Sequence, residues 1–88
     1  MIHYIPPTPE DLMRLKADLN KSSNDMAELF GVSTGRQWRK YMSETEPRDM
    51  GMHMLFFAMA RLELDPKTFE RVLDRMRSVG ATIEIDET

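Results

Sequence analysis

Eighty-eight residues, 41% of them apolar and 31% charged, suffice for one small domain with a single core. There is no Cys, so disulfides and thiolate metal sites are excluded, and a net charge of −3 excludes an indiscriminate, strongly basic polyanion binder. The N-terminal Met1-Ile-His-Tyr-Ile-Pro-Pro7 lacks a basic leader, and the longest apolar run, Met54 to Ala60, is too short to span a bilayer; a soluble cytoplasmic protein with no membrane segment is expected.

Thr8-Pro9-Glu10-Asp11 predicts a helix start: a hydroxyl cap, proline at the first helical position and acids at the positive end of the dipole. Leu12, Leu15 and Leu19 fall on one face of this first helix, which Asn20-Lys21 ends. Ser22 caps the second helix, with Asp25 placed to complete a capping box, and Met26, Leu29 and Phe30 point inward. Ala27 allows close packing, Gly31 can take the left-handed conformation that ends a helix, and Val32 plugs the corner. Ser33 is expected to cap a third helix of about ten residues. Steps of about 100° put Trp38, Tyr41 and Met42 on its inner side. Ser33, Arg36 and Lys40 fall on the outer side, flanked by Gln37 and Arg39. Gly35 is unusual there, since glycine costs roughly 1 kcal/mol in a helix interior.

Ser43 to Pro47 reads as a polar loop stopped by proline. Asp49 is placed to cap a fourth helix from Met50 to Leu64 that is apolar nearly all round, and so either central to the core or partner-facing. Asp65-Pro66 repeats the cap-plus-proline start. Phe69, Val72, Leu73, Met76 and Val79 then form a helical stripe that Gly80 ends. Ala81 to Asp86 alternates apolar and polar residues as a strand does, with Ile2–Ile5 as its expected partner. There is no internal repeat, so residues 1–88 read as a single domain, with a core over 9–64 and the fifth helix and terminal strand over 65–88.

Charge is unevenly spread. Residues 1–32 carry three bases and five acids, and residues 49–88 five bases and eight acids. Residues 33–48 carry Arg36, Arg39, Lys40 and Arg48 against Glu44 and Glu46, the one positive segment. Such a segment can aim a domain at a polyanion.

The run Ala27, Gly31, Val32, Ser33, followed by Trp38 and Tyr41 among three cations, resembles the helix-turn-helix of the XRE-like (Cro/repressor-type) DNA-binding proteins of bacteria, phages and plasmids. The resemblance covers roughly residues 9–64, and its specific part lies within 22–47. The spacing from Ala27 to the aromatic anchors is one residue longer than the usual pattern. Members of such families often continue Glu-Ser-Gly-basic-basic-x-Pro; in Met42-Ser-Glu-Thr-Glu-Pro47 the serine and proline match, while the glycine and the basic residues do not. The resemblance implies a mainly α, five-helix lambda-repressor-like domain with a small terminal β-ribbon. It also implies a DNA-binding transcriptional regulator, a repressor, located on the nucleoid when bound. Its third helix would enter the major groove of double-stranded DNA. Arg36 suits a bidentate contact to guanine and Gln37 one to adenine. Ser33, Thr34, Arg39 and Lys40 suit phosphates, Arg48 offsets part of the charge of Glu44 and Glu46, and Gly35 would let a phosphate or base come close.

A homodimer is expected, reading two half-sites about 34–36 Å apart. Met52, Phe56 and Met59 of the fourth helix or the Ile83/Ile85 strand could form its interface. The terminal strand with the fifth helix is favoured, because the monomer core should consume the fourth. The alternative is an accessory or adaptor module that binds a protein partner, using the acidic surfaces and the methionine-rich helix. His3 and His53 are isolated, so no metal site is expected. No phosphate-binding or dinucleotide glycine motif and no nucleophile–base pair is evident, so neither cofactor nor enzyme activity is expected.

Overall fold

The computed structural model describes residues 1–84. In chain order its helices are α1 (Pro9–Leu19), α2 (Ser23–Phe30), α3 (Gly35–Arg39), a 3₁₀ turn (Lys40–Met42), α4 (Met52–Glu63) and α5 (Pro66–Val79). The fold is mainly α, as the periodicity predicts.

Local chemistry sets the starts. The Asp11 N–H donates to Thr8 Oγ1 at 3.1 Å and the Thr8 N–H donates back to Asp11 Oδ2 at 3.0 Å, a full capping box. At α2 the Ser22 hydroxyl accepts the Asp25 N–H at 3.1 Å, the forward half of the box. Asp65 Oδ1 accepts the Thr68 N–H at 2.6 Å at the start of α5, behind Pro66. Asn20 ends α1 at φ 53° and Gly31 ends α2 at φ 75°, both left-handed.

Leu12 of α1, Met26, Ala27, Leu29 and Phe30 of α2, Trp38 of α3, Met50 and Ala58 form one buried cluster. Leu15, Leu19, Val32, Tyr41, Met42, Met54, Leu55 and Met59 pack around it, half-buried. Met50 does not open α4 as the sequence suggests, and Asp49 does not cap it; the helix begins at Met52 after an uncapped Gly51. The cause is tertiary. Met50 is buried in the core outside any helix, and its carbonyl accepts a hydrogen bond from the Tyr4 hydroxyl at 2.7 Å. That bond also ties the N-terminal arm down. Burial, and secondarily the charge of Asp49, raises the Tyr4 pKa.

Helix α4 meets α2 along one side only. Ala58 is buried, whereas Phe56 is 71% exposed, so the core does not consume this helix as expected. Helix α5 stands outside the main cluster, held through Leu73, which is buried, and a tilted Phe57–Phe69 pair with centroids 6.1 Å apart. The Cα radius of gyration is 14.1 Å, against about 12 Å for a compact chain of this length. The molecule is a slab, 41 × 38 × 21 Å.

The terminal β-ribbon is not formed among the described residues: neither Ile2–Ile5 nor residues 81–84 are strand. Ile85 and Asp86 lie outside the described residues. After Gly80 the chain folds back on α5, with the Ala81 N–H donating to Met76 O at 3.1 Å and Arg77 Nη2 to Ile83 O at 3.2 Å. Those bonds use one N–H, of Ala81, and one carbonyl, of Ile83, that a partner strand would otherwise engage.

Candidate nucleic-acid interface

The α2–α3 turn is built by three polar contacts. Thr34, in extended conformation at φ −145°, caps α3, its hydroxyl accepting the Gln37 N–H at 3.2 Å. Ser33 is not the cap, contrary to the sequence reading; it is exposed one residue earlier. Asn24 Oδ1, on α2, accepts the Gly35 N–H at 3.0 Å and so satisfies one of the unpaired donors at the start of α3.

Gly35 is buried against that contact. A Cβ there would lie 2.5 Å from Asn24 Oδ1 and 3.0 Å from the Asn24 nitrogen. The missing side chain therefore serves the approach of α3 to α2, and the expected approach of a phosphate or base at this position is not available. Helix α3 has only five residues and rises about 7.5 Å. It then tightens into the 3₁₀ turn, in which positions three apart eclipse. That brings Tyr41 round toward the side of Trp38, so both aromatic anchors meet the core. Trp38 is fully buried and packs on Phe30, with centroids 4.8 Å apart. Its indole N–H has no hydrogen-bond partner among the described residues.

The residues predicted to carry the site are brought together. Ser33, Thr34, Arg36, Arg39 and Lys40 are exposed along the turn and α3, and Gln37 is half-buried. Arg36 and Lys40, at i and i+4, lie on the side away from Trp38, with Arg39 exposed on their flank. Arg48 joins them from the following loop: its N–H donates to Lys40 O at 3.0 Å and its guanidinium lies 5.9 Å from the Tyr41 ring centroid. The described ion pairs are Arg14–Asp11, Arg77–Glu70 and Arg77–Asp74, so none of these four cations is neutralised by one. Glu44 and Glu46 sit exposed beside them. Their loop is organised by the Ser43 hydroxyl, which accepts the Glu46 N–H at 3.2 Å.

No family model, curated protein or solved structure matches the chain.

Four exposed guanidinium or ammonium groups can bind phosphates, and Arg36 is the one nearest the start of α3. No group of three or more His, Cys, Asp or Glu side chains gathers at metal-binding distance among the described residues, and no helix there is long and apolar enough to cross a membrane.

Two residues escaped the sequence reading. Asn24 reads as a routine helix-start residue, and nothing local ties it to a glycine eleven positions on. Arg61 of α4 donates from Nη1 to Glu28 O at 2.7 Å, placing a cation on the negative end of α2, and lies 5.7 Å from the Phe57 centroid. A signal for it existed: α2 has no basic residue in its own last turn.

Proposed function

We propose that the chain is a sequence-specific DNA-binding transcriptional regulator, a repressor of the XRE-like, lambda-repressor-like type, acting in the cytoplasm on the nucleoid. The observation that carries this reading is the unpaired cation set of Arg36, Arg39 and Lys40 on a capped short helix and the turn that ends it, with Arg48 on the loop beyond. The opposite side of that helix is locked into the core by Trp38. A rigid mount under a charged face is what groove recognition needs, because base contacts discriminate only when their geometry is fixed.

Within this reading Arg36 addresses guanine O6 and N7, and Gln37 contributes to an adenine only with its exposed half. Ser33, Thr34, Arg39, Lys40 and Arg48 hold phosphates. One head with so few cations makes too few contacts for tight specific binding, so two copies are required on a two-fold-symmetric operator.

Selection of bound fragments from a pool of random duplex DNA tests the reading. Enrichment of a short, two-fold-symmetric motif is the expected result, and a pool that returns unenriched contradicts it. A second reading, a protein-binding accessory module, has the 71% exposure of Phe56 in its favour. Apolar docking of that kind persists as salt rises, whereas phosphate-driven binding weakens steeply.

A further inference from the structure

Between the end of α2, α4, α5 and the return after Gly80 lies a cavity of about 380 Å³, within the range of small-molecule sites. Phe57 of α4, Phe69, Leu73 and Met76 of α5, and Ile83 form its apolar lining. The wall on the side of the return is held in place. Arg77 donates from Nη2 to Ile83 O at 3.2 Å, and from Nη1 to Glu70 and Asp74 at 2.9 and 2.7 Å, so its own charge is already offset.

The charged lining is Glu28, Arg61 and Glu84. Arg61 is committed: its Nη1 donates to the carbonyls of Glu28 and Leu29 at 2.7 and 3.5 Å, at the negative end of α2. Glu28 and Glu84 take part in no described ion pair. In the adjoining hollow, which shares Glu28 and Arg61, Lys21 and Asp25 cancel each other. The cavity thus joins a tilted pair of phenyl rings to two carboxylates set against one occupied guanidinium.

We infer that this cavity is a binding site for a small organic cation, an amine or quaternary ammonium on an aromatic or branched apolar body. The argument is charge complementarity. The lining removes the apolar body from water, the carboxylates of Glu28 and Glu84 attract the head, and the ring faces add to that attraction. An anionic head would have Arg61 alone, its charge spent on α2, and would face both carboxylates. None of these residues belongs to the cation set of α3. The inference therefore stands without the DNA reading and is measured without DNA, so either can fail alone.

The test is an NMR titration of the full chain with phenethylamine, phenethyl alcohol and phenylacetate, which carry one ring and heads of positive, zero and negative charge. Phenethylamine should shift the methyl signals of Met76 and Ile83, with the millimolar affinity expected of about nine non-hydrogen atoms. It should bind about fivefold or more tighter than the other two. Glu28→Gln/Glu84→Gln, at two exposed positions, should remove that preference and leave the alcohol unaffected. Met76→Arg, which fills the cavity from an exposed position, should abolish binding of all three; circular dichroism verifies the fold of each variant. Equal affinity for the three compounds, or a preference for phenylacetate, overturns the inference. An amine that shifts other signals only, or that binds Met76→Arg as it binds the parent, overturns it equally.

Discussion

Trp38 and Gly35 hold the cation-bearing helix from opposite directions, one by filling the core and the other by leaving room. Trp38 is fully buried, and Trp38→Ala should cost about 3–5 kcal/mol, enough to unfold a domain of this size. Trp38→Phe should cost less than half as much, because the phenyl ring keeps the contact with Phe30 while removing a buried N–H without an acceptor. Thermal melts of both variants check the order; an unchanged midpoint for the alanine variant would place Trp38 outside the core. At Gly35, alanine is the better helix former by about 1 kcal/mol, yet its Cβ would press on Asn24, backbone included. Gly35→Ala should therefore destabilise, by about 1–3 kcal/mol, and a stabilised variant would show that α2 and α3 are not held so close. That glycine was legible in the sequence as an oddity, but its reason was not. The reason is a contact with a side chain eleven residues upstream, which no local pattern encodes.

Among the elements, those with chemical punctuation were the legible ones. Thr8, Ser22 and Asp65 each cap the helix their position announces, and Asn20, Gly31 and Gly80 follow the ends. The starts of α3 and α4 were less so. Ser33 and Thr34 are adjacent hydroxyls of similar capping ability, and the bond from Gly35 to Asn24 decides between them. At α4 the burial of Met50 overrides Asp49. The alternation over 81–86 pointed to a strand, but the described part of it is held by α5 instead. The caps also predict a pH response. Hydrogen bonds from the Thr8 backbone and side chain lower the Asp11 pKa, and those from the Thr68 side chain and backbone lower that of Asp65. The folded state thus binds these two protons less readily than the unfolded chain does. Their contribution is present above the unfolded value of about 4 and is lost as pH falls through the lower folded values. Melting temperature should accordingly hold steady from neutral pH to about 5 and decline below 4. Asp65→Asn, which preserves a cap but not a titrating group, should make that decline shallower; an unaltered acid limb would remove Asp65 from the account.

Over the whole molecule, charge and apolar surface are divided between two places. Arg36, Arg39, Lys40 and Arg48, none in a described ion pair, gather at α3 and the loop behind it, while Phe56, Phe57, Leu62 and Val72 leave apolar surface exposed on α4 and α5. The first division could be read in the sequence, because charge is counted along the chain. The second could not: it depends on α4 touching α2 with one side only and on α5 standing off the core, both of which are tertiary facts. The central claim is that the first surface reads DNA. It is tested most directly by titrating salt against the affinity of the parent, Arg36→Ala and Lys40→Ala for the duplex recovered from a random pool. With Arg39, Lys40 and Arg48 on phosphates, the slope of log affinity on log salt should be about −3 per bound copy. Lys40→Ala should flatten it by about one unit and weaken all sequences alike, whereas Arg36→Ala should cost about 1–3 kcal/mol on the selected site and relax preference at one base pair. If both variants bind every duplex as the parent does, with the same slope, α3 is not the reading head and the claim is wrong.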